Sequence, residues 1–527
     1  MPGFHPSCHA AVRPDHPAVV LADTGEVLSY RHLDEGSNRF AQLLRARGLQ
    51  PGDRIGVMMR NGLEFPQVYW GATRCGIFVT LLSTHLQPAE AAYILNDSGS
   101  RLLVLSAALG ETPRARAAAR RELIPDVEQV YFAGDAESEG GKIDGALSLG
   151  DVLAAMPARP VRDEISGYHM IYSSGTTGRP KGIVLPFTPG PIDEFNMHEG
   201  SMPIYRETQP LVTFNAGPLY HGAPLSTMVV THRHGGTFVT QAKFDAEGVL
   251  RAVQDWRVNI AQFVPTMFVR MLALADAVRL KYDLSSLILV MHAAAPCPVE
   301  IKRRMIEWLG PILFEYYGST EGVGATAITS QEWLRKPGSV GKSSLGPIHI
   351  CDDEGRELPP GEPGTIWFEA LPGRTVHYLN DPEKTRRAAH PRHPDWFAVG
   401  DIGRLDEDGY LFLTDRKDFM IISGGVNIYP QAIEDCLIVH PKVLDAAVIG
   451  IANPEFGEEV KAIIQPKRWE DAGPGLEAEL REWCADRISK VTWPRSYEFV
   501  EELPRIPSGK LAKHELRKLY GNPVAVV

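Results

Sequence analysis

Cysteine is scarce in this chain. Six residues among 527 (Cys8, Cys75, Cys297, Cys351, Cys436 and Cys484) lie far apart, with no C-x-x-C spacing. That speaks against a disulfide framework or a zinc site and suits a reducing compartment. An excess of positive charge is missing too. Lys and Arg total 54 against 65 Asp and Glu, a formal net charge of -11. With no basic stripe, a nucleic-acid backbone is not an expected partner. Long apolar runs are lacking, none approaching the ~20 residues that cross a bilayer. The first seventeen residues carry charges and prolines but no apolar core of a signal peptide, so the cytoplasm is the expected location. Neither an internal repeat nor a low-complexity tract is found. What is abundant is core-forming material, 44% of the chain, over a length that suggests roughly three compact units.

The chain alternates helices with short apolar strands. A hairpin at 19–28 leads to Ser29, an N-cap for a helix over 30–48 with Leu33, Phe40, Leu43 and Leu44 at helical spacing. Strands follow at 55–59, 77–82 and 102–105, separated by helices at 65–76 and 88–98, whereas 110–149 reads as a surface helix and loops. The alternation resumes with strands at 211–214, 237–240, 260–264 and 287–291. This pattern predicts an α/β fold with an open sheet. Beyond about residue 345, short strands separated by turns indicate a β-rich section. From Asp415 helices and strands mix again, enough for a small separate domain. The expected organisation is a large N-terminal domain (1–414, β-rich at about 345–414), a hinge at 415–418, and a small α+β C-terminal domain (419–527).

The chemistry gathers at Tyr172-Ser173-Ser174-Gly175-Thr176-Thr177-Gly178-Arg179-Pro180-Lys181-Gly182. Five hydroxyl side chains, three glycines and two cations in eleven residues suit a polyphosphate. Small residues let backbone N–H groups approach, hydroxyls donate, and Arg179 and Lys181 offset charge. It is not a Walker loop, since Pro180 precedes the lysine and no Ser or Thr follows it. Its flanks, 168–172 and 182–185, read as strands, so the loop joins two strands rather than opening a helix. By composition alone it could equally be a hairpin tip.

This stretch resembles the phosphate loop of the adenylate-forming enzymes, which include acyl-CoA synthetases, luciferases and peptide-synthetase adenylation domains. The resemblance runs from about residue 14 to 517, with further motifs in the family's order. It implies that Tyr317 in Tyr317-Gly318-Ser319-Thr320-Glu321 stacks on adenine, Thr320 meets the AMP phosphate and Glu321 holds Mg²⁺, a hard ion for a hard oxygen. Ala293-Ala294-Ala295-Pro296 stands where relatives carry a Gly-Gly-Ala-Pro wall of the adenine pocket, with two methyl groups added. Glu315 occupies a position that meets the adenine amino group in relatives. Asp401 and Arg416 match the two ribose contacts; without the resemblance, Gly400-Asp401 would read as a turn. Asp418 falls at the hinge. Ser423-Gly424-Gly425 resembles the loop lining the pantetheine tunnel after domain rotation, where glycines permit close backbone approach. Lys510, in Pro507-Ser508-Gly509-Lys510, matches the catalytic lysine, able to reach carboxylate and α-phosphate as charge develops.

The branch is suggested by Pro218-Leu219-Tyr220-His221, which resembles the acyl-CoA synthetase version of its motif. There His221 is a gate and pocket residue before it is a base, with Tyr220 beside it. Val264 and Met267 begin a helix along the acyl pocket with Ala293 nearby, and Tyr316 stands where many relatives have glycine, narrowing that pocket. The implied reaction joins a fatty, aryl or polycyclic carboxylic acid to CoA, using ATP and Mg²⁺ through an acyl-adenylate. Three alternatives stay open: transfer to a carrier-protein thiol, thioester formation alone on a pre-formed adenylate, and a non-catalytic nucleotide-binding relative.

Overall fold

The computed structural model describes residues 3–107, 119, 122–134, 145–173, 180–194, 203–372, 375–416, 419–423, 426–505 and 511–521; of Ser173, Asp415, Arg416 and Asn427 it describes the backbone. Among these residues the strands form four sheets. The largest has nine strands in the order Lys342–Leu345, Ala325–Thr329, Leu313–Gly318, Leu289–His292, Ile260–Phe263, Val212–Asn215, Thr237–Thr240, Pro17–Leu21 and Glu26–Ser29. From Leu313–Gly318 to Pro17–Leu21 all neighbours are parallel, and the outer strands run antiparallel. Such strands are buried on both faces, which is why they read as short apolar runs. Val290, Phe214 and Val239 have no exposed surface.

The second sheet holds seven strands around Arg54–Met58 and Ser100–Ser106, and ends in His169–Ser173 and Lys181–Ile183. Those last two pair antiparallel with Ile171 opposite Ile183, so the phosphate-loop motif does connect two strands. Between the sheets lies the helix Tyr30–Ala46, where Ser29 accepts the His32 N–H as the expected N-cap. Leu33, Phe40, Leu43 and Leu44 all face the core. The helix Pro88–Ser98 stops at Gly99, whose φ of 63° puts it in the left-handed region that lacks a Cβ penalty.

One stretch departs from expectation. Within 110–149, Gln129–Ala133 is a strand that pairs parallel with Ser100–Ser106, Leu103 opposite Val130. Val130, Tyr131 and Ala133 are buried in that sheet. Its five residues follow a charged stretch and show no clean alternation, so no periodicity marked it.

A four-stranded antiparallel sheet follows: Ile348–Cys351, Gly364–Glu369, Trp396–Leu405 and Leu411–Arg416. The small C-terminal domain is a five-stranded sheet built on the long hairpin Val443–Asn453 and Gly457–Pro466, backed by the helices Pro430–Ile438 and Pro474–Ala485. Among the described residues no helix is long and apolar enough to cross a membrane.

Candidate active site

In an open parallel sheet, backbone ends and loops at the carboxyl edge of the strands form a crevice for ligands. Most of the motif residues emerge at that edge of the nine-stranded sheet. Tyr317 and Gly318 close the strand Leu313–Gly318, and the chain turns through Ser319–Gly322, with the Gly322 N–H donating to the Ser319 carbonyl at 3.1 Å. A Cβ on Gly318 would stand 3.2 Å from the Gly324 carbonyl, tighter than most side chains accept. The turn leaves Thr320 exposed and Glu321 half-buried.

Two contacts gather distant parts of the sequence here. Tyr317 Oη donates to Asp401 Oδ2 at 2.6 Å, tying the large sheet to the strand Trp396–Leu405. Asp401 thus lies within a strand rather than a free turn; Gly400 before it, at φ 87°, supplies the local bend. Arg416 faces Asp401 across the sheet in backbone register. The second contact is Tyr378 Oη donating to Glu321 Oε1 at 3.0 Å, with Lys181 Nζ 5.2 Å from the centre of the Tyr378 ring. Glu321 and Lys181 therefore converge on one tyrosine. Nothing in the sequence singled out Tyr378; its role depends on an isolated bridge to Ile183 that no local pattern records. Tyr172 anchors the base of the phosphate loop by donating to Asp97 Oδ2 at 2.7 Å, and its ring packs where a Cβ on Gly182 would come within 2.8 Å.

The segment Ala293-Ala294-Ala295-Pro296, expected at the adenine, leaves the strand Leu289–His292. Ala293 is buried, whereas Ala294 is exposed and holds φ 76°, a left-handed backbone that costs an L-residue energy. Ala295 and Pro296 continue along the rim. Glu315 turns inward. Its Oε2 lies 2.5 Å from Lys302 Nζ and 3.8 Å from His292 Nε2, all three side chains nearly inaccessible. Burial pushes the Glu315 carboxyl up from its ordinary value, opposed by Lys302. Burial, then the same lysine, holds His292 well below the usual imidazole range. Lys302 comes from the helix Val299–Leu309, and its pairing was not legible in the sequence.

Among the residues expected at the acyl group, His221 caps the helix Gly222–Arg233 in an extended backbone conformation, its ring 4.8 Å from that of Tyr220. Tyr220 is buried and accepts from Thr84 Oγ1 at 3.3 Å. Val264 precedes the helix Pro265–Leu272, as expected, and Met267 on that helix is half-buried. Tyr316 is half-buried and its Oη accepts from Gln262 Nε2 at 2.5 Å. Gln262 is a residue that sequence reading missed. Its signal is a polar side chain inside the otherwise apolar strand Ile260–Phe263.

The donor set suits a magnesium nucleotide. Among the described residues no three carboxylate, histidine or cysteine side chains converge to cage a metal. A lone Glu321 with phosphate oxygens is the arrangement magnesium favours. Ser319 Oγ, in the same turn, is buried with no hydrogen-bond partner among the described residues. Ser173 ends its strand and Ser423 ends Ile421–Ser423. Ser174, Gly175, Thr176, Thr177, Gly178, Asp418, Gly424, Gly425 and Lys510 lie outside the described residues.

Comparison with known proteins identifies the family. A family model described as AMP-binding enzyme matches residues 8–371, and one described as AMP-binding enzyme C-terminal domain matches 432–510. The long-chain-fatty-acid–CoA ligase FadD13 of Mycobacterium tuberculosis is 31% identical, covering 98% of this chain and 97% of its own. A feruloyl-CoA synthase of Amycolatopsis sp. is 33% identical over 96% of each chain. Among solved structures, ATP-bound MatB from Rhodopseudomonas palustris gives a TM-score of 0.78 at 27% identity, covering 99% of both chains.

Proposed function

As a member of the AMP-binding enzyme family, in the acyl-CoA synthetase branch of the adenylate-forming enzymes, this chain is an AMP-forming acid–thiol ligase, and we propose that it converts a carboxylic acid, ATP and CoA into acyl-CoA, AMP and pyrophosphate through an acyl-adenylate. The observation that carries this reading is the convergence of Tyr317 with Asp401 and of Glu321 with Tyr378 and Lys181 along one crevice.

A carboxylate oxygen attacks the α-phosphorus of ATP. The new P–O bond forms as the bond to the bridging oxygen breaks, and pyrophosphate leaves. The chain's work is positioning and charge neutralisation. Tyr317 carries the adenine, with Ala294, Ala295 and Pro296 along its rim. Asp401 and Arg416 hold the ribose, and Asp401 can accept from two hydroxyls because a carboxylate offers about four lone-pair sites. Ser173 to Lys181 hold the β- and γ-phosphates, Thr320 meets the α-phosphate, and Lys510 bridges the attacking and bridging oxygens. Glu321 would hold the magnesium ion, which would supply further neutralisation of phosphate charge. The small domain (419–527) then rotates about Asp418 against the large one (1–414). That motion withdraws Lys510 and brings Ser423, Gly424 and Gly425 against pantetheine. The CoA thiolate attacks the acyl carbon; the C–S bond forms, the C–O bond to phosphate breaks, and AMP leaves. His221 and Tyr220 line the acyl entrance throughout, with Val264, Met267, Ala293 and Tyr316 along the pocket.

The test is a panel of carboxylic acids with Mg-ATP, following pyrophosphate, AMP and acyl-CoA together, with free CoA and a holo-carrier protein as rival acceptors. Acid-dependent AMP and acyl-CoA are expected. Release of pyrophosphate without transfer to CoA refutes CoA as the acceptor, and absence of AMP with every acid refutes the ligase reading.

A further inference from the structure

The acyl side of the crevice is backed by a line of side-chain amides whose donor direction is fixed from one end. The Gly217 backbone N–H donates to Asn215 Oδ1 at 2.8 Å. A backbone N–H can only donate, so that atom is the amide oxygen and Nδ2 is the donor. Asn215 Nδ2 donates to Gln262 Oε1 at 3.1 Å and to Thr227 Oγ1 at 3.2 Å. Thr227 Oγ1 itself lies 2.5 Å from the same Oε1 and 3.0 Å from the Ala223 carbonyl. Gln262 Oε1 is therefore the acceptor and Nε2 the donor, directed at Tyr316 Oη at 2.5 Å. An amide NH₂ cannot accept, so the phenol oxygen must, and its own hydrogen is left for another partner. Among the described residues no acceptor for that hydrogen is found.

The ring is held in place by this line. Asn215, Thr227 and Gln262 are nearly inaccessible, and behind them Tyr205, Leu211, Val230, Ile260, Met291 and Phe314 fill the space under the helix Gly222–Arg233. An acyl group reaching Tyr316 meets a packed wall rather than a continuing channel. Burial also pushes the phenol up to about 12, so it stays protonated.

We propose that Tyr316 Oη donates a hydrogen bond to an oxygen or nitrogen on the acyl group. The substrate is then a compact carboxylic acid, of one ring or a short chain, bearing such an acceptor away from its carboxylate. This rests on the ligase reading above. It makes Tyr316 a specificity residue, with Gln262, Thr227 and Asn215 as its positioning residues. An acid without an acceptor leaves the donor desolvated and unpaired, a loss worth about 10–100-fold in kcat/KM.

The experiment uses the full chain and pairs of acids matched in shape: 4-methoxybenzoate against 4-ethylbenzoate, and 3-acetylbenzoate against 3-isopropylbenzoate, with palmitate as a long-chain probe. Acyl-CoA formation gives kcat/KM for each with the wild type and Tyr316→Phe. The wild type is expected to favour the acceptor-bearing member of at least one pair by about 10–100-fold. In Tyr316→Phe that ratio falls to near unity, whatever the absolute rates. A wild type indifferent within both pairs, a ratio that survives in Tyr316→Phe, or palmitate as the preferred acid overturns the proposal. Should the variant not fold, the wild-type ratios alone decide. No turnover with any acid overturns the ligase reading and this inference with it, a result distinct from turnover without preference.

Discussion

Replacing Lys302 by Met should make the stability of the large domain depend on pH. The ammonium is inaccessible, 2.5 Å from Glu315 Oε2 and 4.9 Å from the Trp333 ring. Without it, Glu315 must either remain a lone buried carboxylate or take up a proton. Protonating a carboxyl of ordinary pKa near 4.3 at pH 7 costs about 3.7 kcal/mol, at 1.36 kcal/mol per unit. That figure falls within the loss of about 3–5 kcal/mol seen when one partner of a buried pair is removed. At pH 5 the same step costs only about 1 kcal/mol. The direction follows from proton counting. Burial already raises the Glu315 pKa in the folded protein, and losing Lys302 raises it further. Between the unfolded and folded pKa values the native state binds more protons, so stability falls as pH rises, by about 1.4 kcal/mol per unit. Urea unfolding of wild type and Lys302→Met at pH 5, 6 and 7 should show the gap widening with pH. Adding Glu315→Gln to the variant should recover much of the loss at pH 7, since no charge is then left buried. A gap of equal size at all three pH values, or a double variant as unstable as the single one, refutes this reasoning.

Ala294→Gly should raise the urea midpoint, by about 0.5–1 kcal/mol in stability. Relief of the left-handed backbone at φ 76° outweighs the added freedom of the unfolded chain; a lower midpoint contradicts it. Tyr378→Phe removes the hydrogen bond to Glu321, and adenylation measured by pyrophosphate release should fall roughly 10-fold, as for one hydrogen bond to a charged group. An unchanged rate would mean that Glu321 needs no such support. Lys510→Ala should sharply reduce adenylate formation while sparing thioester formation from a supplied acyl-adenylate. Equal losses in both half-reactions would make the lysine structural.

Elements with strong local signals are legible in the sequence. Leu33, Phe40, Leu43 and Leu44 recur at helical spacing after Ser29, and the helix Tyr30–Ala46 follows from them. Gln129–Ala133 shows the opposite case. Its residues become a strand only because Ser100–Ser106 offers an open edge beside them, and pairing across such a distance leaves no periodicity. The site divides the same way. Tyr317, Glu321 and Asp401 stand in motifs whose spacing survives in the chain, whereas Tyr378, Gln262 and Lys302 owe their place to contacts 57, 54 and 13 residues away. Glu315 could be numbered from sequence, but not its burial against Lys302. Asp401 looked like a turn residue because Gly400 precedes it; the glycine in fact bends a strand that continues to Leu405.

The bond between Tyr317 and Asp401 joins two separately organised β-sheets. A nucleotide that stacks on one residue and hydrogen-bonds the other would act as a rivet across that seam. Its binding free energy would then be spent partly on holding the four-stranded sheet down. Local opening of that sheet would become rarer as nucleotide concentration rises above its dissociation constant. Amide hydrogen exchange in Trp396–Leu405 and Leu411–Arg416 would slow with added ATP or AMP, while the hairpin Val443–Asn453 and Gly457–Pro466, which belongs to neither of the two sheets, would keep its rate. The crevice is in that sense a fastening as well as a pocket, and the substrate is the part that completes it.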